Sequence, residues 1–377
     1  MREENVVLLI TLTRWQQEFI EMFDLNKLVR ENIKSLTPYS SARDEFSGEA
    51  KVFLDANENA LGSPLLKWYN RYPDPHQAKV KQAISKVKAV PPEKLFLGNG
   101  SDECIDLLFR CFCNPGKDNT IICPPTYGMY EVSANINDVE IRRAPLLDDF
   151  QLDLVHLENL VDDNTKLIWI CSPNNPTANS MNREDVETIL NNFEGLVVVD
   201  EAYINFSRQK SFIQELNDYH NLLVLQTFSK AWGLAGLRLG MACAAEEIIE
   251  ILNRVKPPYN INQVTQELAL KALEEVGQVN DMIKELVQMR TALKGVFEKI
   301  PFVQKVYLSD ANFLLVKMDN ARKIYEFLLT RGIVVRDRSN VKLCDSCLRI
   351  TVGTEEENTE LIEALMDWYV ETKQVKA

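Results

Sequence analysis

The fold is decided by three short apolar runs, Lys166-Leu-Ile-Trp-Ile-Cys171, Leu196-Val-Val-Val199 and Leu222-Leu-Val-Leu225. Apart from Lys166 at the start of the first, each run is continuously apolar rather than alternating, which is typical of strands buried on both faces of a sheet. A helical pattern at 183–193 separates the first two runs. Apolar strands that alternate with helices predict a mostly parallel sheet with helices packed on both of its faces.

The alternation extends in both directions from these runs. Shorter strands are predicted at 94–97, 120–123 and 241–244, and the turn Gly98-Asn-Gly-Ser101 opens a helix that continues through residue 113. A long helical stretch follows Asn262, and after it strands are predicted at 303–308, 313–316, 333–335 and 348–352, with a helix at 321–331. Near the start, apolar residues at helical spacing predict one helix over 24–36. We therefore expect an α/β protein with a large domain and a smaller α+β domain.

Composition excludes several classes of protein. The 377 residues include 55 Asp and Glu against 42 Lys and Arg, which gives a formal net charge of −13. This acidity argues against nucleic acid or an anionic membrane as a partner. No apolar run approaches the roughly 20 residues of a membrane span. The apolar stretch 6–12 follows acidic residues, unlike the basic start of a signal peptide.

Histidine and cysteine do not point to a metal site. The three histidines, His76, His156 and His220, are far apart, and the eight cysteines are scattered. We interpret the cysteines as reduced thiols of a cytoplasmic protein. Cys344-Asp-Ser-Cys347 has the spacing of half a metal site or a redox pair, but no second pair completes it. We therefore expect no bound metal.

Polar residues follow each of the three apolar runs. They are Ser172-Pro-Asn-Asn-Pro-Thr177, Asp200-Glu-Ala-Tyr203 and Thr227-Phe-Ser-Lys230. Each interval between them fits one strand–helix–strand step, so all three strand ends can line one crevice at the carboxyl edge of the sheet. The helix that opens near Ser101 adds backbone N–H groups and a positive dipole end, which suit a phosphate.

A lysine, an aspartate and a phosphate site in one crevice predict pyridoxal 5′-phosphate as the cofactor. The cofactor needs an amine for its aldehyde, an acid that keeps its ring nitrogen protonated, and donors for its phosphate. Lys230 and Asp200 are the amine and the acid. Taken singly, each polar stretch has a simpler explanation as a helix cap, a solvated charge or a turn. Their combination at successive strand ends favours the cofactor site.

Several motifs resemble one enzyme family. The stretch Ser229-Lys-Ala-Trp-Gly-Leu-Ala-Gly-Leu-Arg238 is similar to the cofactor-lysine motif of the fold type I pyridoxal-phosphate-dependent aminotransferases. Other parts of that pattern are matched by Asn175-Pro-Thr177, Asp200-Glu-Ala-Tyr203 and Arg349. Motifs that resemble the histidinol-phosphate aminotransferase branch occur at Thr37-Pro-Tyr-Ser-Ser-Ala-Arg43, Leu54-Asp-Ala-Asn-Glu-Asn59, Arg71-Tyr-Pro-Asp74 and Val335-Arg-Asp-Arg338. The resemblance extends from about residue 24 to the C-terminus.

The resemblance implies a set of roles around the cofactor. Lys230 holds it as a Schiff base and then moves a proton between the substrate Cα and C4′, while Asp200 pairs with the ring nitrogen. The ring oxygen is assigned to Asn175 and Tyr203, the ring face to Tyr127, and the phosphate to Thr227, Ser229, Arg238 and the N–H groups of Ser101, Asp102 and Glu103. The side chains of Asp102 and Glu103 are expected to turn away or to cap the helix. Tyr72 is assigned to the phosphate of the other subunit, which implies a homodimer with shared active sites.

The resemblance also implies the reaction. Glutamate and imidazole acetol phosphate would give histidinol phosphate and 2-oxoglutarate, in histidine biosynthesis. Arg349 is assigned to the substrate anion at the reacting end, because a guanidinium forks onto carboxylate or phosphate. Arg336 and Tyr39 are assigned to the substrate phosphate, with a surface charge as the alternative for Arg336. Asn57 is expected to line the site.

Three other functions remain open at this point. An aromatic amino acid aminotransferase and a threonine-phosphate decarboxylase use the same cofactor frame. A cofactor-sensing regulator on an aminotransferase fold would need a DNA-binding module, for which the residues before the resemblance are too few. Ala178 stands where the family often has glycine, which affects backbone geometry rather than chemistry.

The resemblance divides the chain into four parts. We expect residues 1–23 to be an N-terminal extension. Its first 21 residues, before Met22, are interpreted as the result of a start codon placed too early, with a lineage-specific arm as the alternative. Residues 24–56 form an N-terminal arm associated with the small domain and the dimer partner. Residues 57–262 form the large cofactor-binding domain, and residues 263–377 form the small C-terminal domain.

Overall fold

The structure is a computed structural model, and it describes residues 23–39, 52–65, 67 and 69–374. The predictions for residues 1–22 and the middle of the arm lie outside the described residues. Across the described ranges, no helix is both long and apolar enough to cross a membrane.

A seven-stranded sheet forms the centre of the larger part of the molecule. Its strands are β1 (Leu95–Asn99), β2 (Asn119–Ile122), β3 (Glu140–Arg143), β4 (Thr165–Cys171), β5 (Leu196–Asp200), β6 (Leu222–Thr227) and β7 (Leu239–Ala244). The spatial order is β1-β7-β6-β5-β4-β2-β3. Neighbouring strands are parallel except that β7 runs antiparallel to both β1 and β6. The predicted mostly parallel sheet is therefore confirmed.

Helices cover both faces of this sheet. They include α3 (Ala78–Lys88), α4 (Ser101–Phe112), α5 (Met129–Ile136), α6 (Leu154–Leu160), α7 (Arg183–Asn192), α8 (Glu246–Val255) and α9 (Gln263–Glu274). The two core layers share β5, since Val197 packs in one layer and Val198 in the other, both fully buried. Burial on both faces explains why this strand is apolar at successive positions.

A four-stranded antiparallel sheet forms the smaller part. Its strands are β8 (Val303–Val306), β9 (Phe313–Met318), β10 (Arg336–Asp337) and β11 (Cys347–Thr351), in the order β10-β11-β9-β8. The accompanying helices are α10 (Val276–Phe297), α11 (Ala321–Thr330) and α12 (Glu355–Gln374). The strand predicted at 333–335 is wrong. The Ile333 N–H closes the end of α11 on the Leu328 carbonyl at 2.9 Å, so the chain joins the sheet only at Arg336.

The helix predicted over 24–36 is also wrong in detail. The structure has two short helices, α1 (Leu25–Leu28) and α2 (Glu31–Lys34), with a break between them. At the break, the Arg30 N–H bonds the Cys111 carbonyl at 3.1 Å and its guanidinium bonds the Arg110 carbonyl at 2.7 Å. The segment therefore leaves the helical path to satisfy carbonyls near the end of α4, which lack partners within that helix.

Candidate active site

A cavity of about 560 Å³ opens where β4, β5 and β6 end. It brings together most of the predicted site residues: Ser101, Asp102, Tyr127, Asn175, Asp200, Tyr203, Thr227, Ser229, Lys230, Arg238, Arg336 and Arg349. The carboxyl ends of three neighbouring parallel strands thus converge on one crevice, as the spacing along the chain indicates.

A larger cavity of about 720 Å³ lies elsewhere, near the start of β4 at Thr165 and beside Gly195, which precedes β5. It contains none of the predicted site residues. Ligands of parallel α/β sheets bind outside the carboxyl ends of the strands, not the amino ends. We therefore take the smaller cavity as the candidate active site.

Asp200 lies at the end of β5 and is only 2% exposed. The Tyr130 hydroxyl donates to its Oδ2 at 2.6 Å, and the Ala202 N–H donates to its Oδ1 at 3.0 Å. Burial raises the pKa of Asp200, and these two hydrogen bonds oppose that rise. A carboxylate fixed in this way is a suitable partner for a protonated ring nitrogen.

Tyr130 is a residue that the sequence analysis missed. It is fully buried in α5 and stacks on Trp169 with ring centroids 4.8 Å apart. In the sequence it is simply one more apolar residue of a helix, because nothing there shows that its hydroxyl reaches Asp200. The only hint in the sequence is that Tyr130 lies three residues after Tyr127, a predicted site residue.

Lys230 follows β6 and lines the cavity, with its Nζ 5.7 Å from the centroid of the Tyr203 ring. Burial lowers the pKa of Lys230 and the charge of Arg349 lowers it further, while the nearby Asp200 opposes the shift. A lower pKa increases the fraction of neutral amine, which is the form that attacks a carbonyl carbon.

The start of α4 forms one end of the cavity. Its cap, Gly100, has φ of +75°, a conformation that favours glycine, and a Cβ there would lie 2.7 Å from the Arg238 guanidinium. Thr227 and Ser229 lie beside this end, where the Ser229 N–H donates to Thr227 Oγ1 at 3.1 Å. Helix N–H groups, two hydroxyls and a guanidinium together suit a phosphate.

The two acidic residues in the first turn of α4 differ. Glu103 turns away from the cavity, where it accepts hydrogen bonds from Asn99 N–H at 2.5 Å and Asn260 at 3.0 Å. Asp102 does not turn away, contrary to our expectation. Its carboxylate faces the cavity because two partners lie there: the Tyr127 hydroxyl at 3.1 Å and the Arg238 guanidinium at 3.3 Å.

Asn175 and Arg349 connect the two sheets across the cavity. The Arg349 guanidinium donates to Asn175 Oδ1 at 2.5 Å. The Tyr203 ring packs edge-on against Phe313, with centroids 5.2 Å apart, and Arg349 lies over the same Phe313 ring. Burial lowers the pKa of Arg349, and neighbouring arginines lower it further. This cationic side chain therefore faces the cavity without a carboxylate beside it among the described residues.

Besides Glu103, three predicted site residues do not line the cavity of their own chain. Tyr72 is 51% exposed and stacks on Tyr259, and together with Asn57 it lines a separate surface pocket. Tyr39 is 75% exposed and lines another pocket beside His76. All three lie on segments that precede α3, away from the ends of β4, β5 and β6.

The Cys344/Cys347 pair does not contribute to the cavity. Burial raises the pKa of Cys344 to about 12 and that of Cys347 to about 11. Thiols with such pKa values stay protonated at neutral pH and are poor nucleophiles and metal ligands. Among the residues that the structure places, no cluster of His, Cys, Asp and Glu could hold a metal ion.

The donor set of the cavity fits pyridoxal 5′-phosphate. It offers a lysine for the aldehyde, a buried carboxylate for the ring nitrogen, and a helix start with Thr227, Ser229 and Arg238 for the phosphate. The groups lie around a volume of about 560 Å³, which is within the range of small-molecule sites.

Comparisons with known proteins agree with this geometry. The class that the fold and the site define is that of the aminotransferases of class I and II, and the description of that family matches residues 57–365. A histidinol-phosphate aminotransferase from Cytophaga hutchinsonii is 53% identical over 343 residues, which are 91% of this chain and 99% of that protein. The chain therefore belongs to the histidinol-phosphate aminotransferase family within that class.

Solved structures of known proteins have a fold similar to that of this chain. The histidinol-phosphate aminotransferase from Clostridium acetobutylicum superposes with a TM-score of 0.73 at 25% identity, covering 79% of this chain and 90% of that one. The enzyme of the same name from Sinorhizobium meliloti, in complex with pyridoxal-5′-phosphate, has a TM-score of 0.73 at 22% identity, covering 80% of this chain and 84% of that one. The second likeness bears on the fold alone.

Proposed function

We propose that this protein is a homodimeric cytoplasmic aminotransferase that converts imidazole acetol phosphate and L-glutamate to L-histidinol phosphate and 2-oxoglutarate in histidine biosynthesis. Its cofactor is pyridoxal 5′-phosphate. The observation that carries the proposal is one cavity in which Lys230 and Asp200 face Arg349 and Arg336, in a chain that shares about half of its residues with enzymes of that name.

The large sheet supplies the groups that hold the cofactor. When bound, pyridoxal phosphate supplies a positively charged ring that withdraws electrons from the substrate Cα. Asp200 would pair with the ring nitrogen and keep its proton in place, and Asn175 and Tyr203 would bond the ring oxygen. Tyr127 would pack against the ring face. The phosphate would be held by Thr227, Ser229, Arg238 and the N–H groups of Ser101, Asp102 and Glu103.

Lys230 performs the proton transfer. Its amine would anchor the cofactor and, when free, would carry a proton between the substrate Cα and the cofactor's C4′. The lowered pKa of Lys230, which results from burial first and the charge of Arg349 second, favours the neutral amine that this step requires. Arg349 orients the substrate through the anion next to the reacting carbon.

The homodimer explains why Tyr72 lies outside the cavity of its own chain. We propose that Tyr72 reaches the cofactor phosphate of the partner subunit, and that Asn57 and Tyr39 belong to the same shared surface. The chain segment that carries Asn57 also exposes large apolar side chains, since Leu54, Leu61 and Leu65 are all at least 64% exposed. We also propose that the chain divides into an arm (24–56), a large domain (57–262) and a small domain (263–377).

Mixed dimers test the shared site. Subunits with Lys230→Ala and subunits with Tyr72→Ala are each expected to have low activity. A mixed dimer contains one site with the intact lysine of one subunit and the intact tyrosine of the other, so mixing should restore activity. No restoration in dimers shown to be mixed by mass spectrometry would place Tyr72 outside the site of the partner.

A screen of amino donors tests the reaction. The holoenzyme is mixed with histidinol phosphate, glutamate, phenylalanine or threonine phosphate, and the cofactor absorbance follows each half-reaction. We expect the highest kcat/KM with histidinol phosphate and clear reaction with glutamate. Preference for phenylalanine would indicate the aromatic aminotransferase, and release of carbon dioxide from threonine phosphate would indicate the decarboxylase.

A further inference from the structure

Three arginines of the small sheet line one wall of the cavity: Arg336, Arg338 and Arg349. Arg336 and Arg349 lie directly opposite each other in the pairing of β10 with β11. Arg338 comes two residues after Arg336, and its N–H donates to the Cys347 carbonyl at 2.9 Å, which continues the same ladder. Because side chains alternate along a strand, Arg336 and Arg338 share one face of the hairpin.

These charges have no counter-charge beside them in the part of the chain that the structure describes. Among the described residues, none of the three has a carboxylate within ion-pair distance. The Nε of Arg338 is buried and makes no hydrogen bond within the described part of the chain. Asp337, which lies between Arg336 and Arg338 in the sequence, pairs instead with Arg322 at 3.1 Å. Arg322 does not line the cavity.

Such an arrangement is costly without a ligand. Like charges that face each other across an antiparallel pair are destabilising, and a buried N–H group with no partner adds to that cost. The chain as a whole is rich in carboxylates, with a formal net charge of −13, yet none of those that the structure describes forms an ion pair with these arginines. A doubly charged anion would satisfy the cluster, whereas a single carboxylate can occupy Arg349 alone.

We propose that Arg338 binds the phosphate ester of the substrate and so determines specificity for it, a role that rests on the proposed function. A phosphate ester approaches two negative charges at neutral pH and offers three acceptor oxygens, so it can bond more than one guanidinium. Arg349 serves both substrates in turn. Arg338, together with Arg336, serves the phosphate-bearing one.

The experiment compares two substrates that differ only in the phosphate. Single-turnover half-reactions of the holoenzyme are measured with histidinol phosphate and with histidinol, for the parent, Arg338→Gln and Arg338→Lys. Lys342→Gln is the matched control, since it also removes one positive charge from the hairpin but is exposed and does not line the cavity. Glutamate is the third substrate.

Arg338→Gln should lower kcat/KM for histidinol phosphate by about 10–100-fold, as expected for the loss of a charge-assisted bond. The loss should appear mainly in KM, because the charge of the phosphate does not change during the reaction. Histidinol and glutamate should change by less than about threefold. Arg338→Lys should give an intermediate loss, and Lys342→Gln should resemble the parent.

Two results would overturn the role of Arg338. One is an equal loss on histidinol phosphate and histidinol, which would indicate a general structural effect. The other is no loss on either substrate. A different result bears on the proposed function instead: a parent enzyme that uses histidinol phosphate no better than histidinol would not be selecting a phosphate ester at all.

Discussion

The two walls of the active-site cavity differ in how their charges are paired. On the wall formed by the large sheet, Asp200 is held by Tyr130 and Arg238 is paired with Asp102. On the wall formed by the small sheet, Arg336 and Arg338 have no ion-pair partner among the residues that the structure describes. A wall with internal partners suits a resident cofactor, which needs groups fixed in advance. A wall of unpaired cations suits substrates that bring their own negative charge and leave again.

The largest expected effect is at Lys230, on the wall formed by the large sheet, which we call the cofactor wall. Under the proposed mechanism, Lys230→Ala removes both the anchor of the cofactor and the group that moves the proton, so transamination should fall by about 10⁴-fold or more. The variant should still bind the cofactor weakly through the remaining groups. Lys117→Ala, an exposed lysine in the turn before β2, is the control.

Chemical labelling adds a direct readout for Lys230. Borohydride treatment of the yellow holoenzyme should attach the mass of the cofactor to this residue, as located by peptide mass spectrometry. A label on another lysine, or an active Lys230→Ala variant, would contradict the assignment.

Asp200→Asn tests the buried carboxylate of the same wall. The substitution keeps the shape but removes the negative charge, and we expect turnover to fall by roughly a thousandfold, which corresponds to about 4 kcal/mol. Burial raises the pKa of Asp200, so the ionised carboxylate lowers the free energy of unfolding of the cofactor-free protein at neutral pH. The apo variant should therefore keep or raise its Tm. Turnover equal to that of the parent would mean that Asp200 only holds the turn at Ala202.

Arg336→Ala tests the wall formed by the small sheet, which we call the substrate wall. Here we expect smaller effects that differ between substrates. The kcat/KM for histidinol phosphate should fall by about 10–100-fold, while the glutamate half-reaction should fall much less. The physical reason is that the second charge of the phosphate needs a second cation. Single-turnover absorbance traces for each donor separate the two effects. An equal loss on both donors would favour the aromatic aminotransferase over the proposed enzyme.

The sequence predicts best where one physical requirement dominates. β4, β5 and β6 are buried on both faces, so their apolar runs are unmistakable and their polar ends could be placed at one edge. β3, Glu140-Ile-Arg-Arg143, lies at the edge of the sheet and carries exposed charges, so no apolar run marks it. The motif around Arg336 is recognisable in the sequence, but the predicted strand at 333–335 precedes the observed one, because the Ile333 N–H closes α11 and the chain joins the sheet only at Arg336.

Contacts between distant segments could not be predicted in the same way. Tyr130 reaches Asp200 across 70 positions of the chain, and nothing local distinguishes it from an ordinary core tyrosine. Arg338 belongs to the family motif Val335-Arg-Asp-Arg338, but the motif does not show that Asp337 pairs with Arg322 and not with its neighbouring arginines. The orientation of Asp102 depended on Tyr127 and Arg238, which only the fold brings near it.

The smallest expected effect is that of Tyr130→Phe, which tests whether Tyr130 supports the charge of Asp200 or only packs in the core. Tyr130→Phe keeps the ring that stacks on Trp169 and removes only the hydroxyl that donates to Asp200. That hydrogen bond lowers the pKa of Asp200 against the rise caused by burial, so without it the pKa should rise further. The carboxylate will then take up a proton at a higher pH, and the acidic limb of the kcat profile should move upward.

The loss in kcat near neutral pH should be about 3–10-fold, as expected for one hydrogen bond while the Ala202 N–H keeps the other. Tyr325→Phe, in α11 and not among the residues that line the cavity, is the matched control and should leave the profile unchanged. If Tyr130→Phe lowers stability but leaves the acidic limb in place, then Tyr130 is a packing residue. In that case the backbone turn at Ala202 would be the main support of the Asp200 charge.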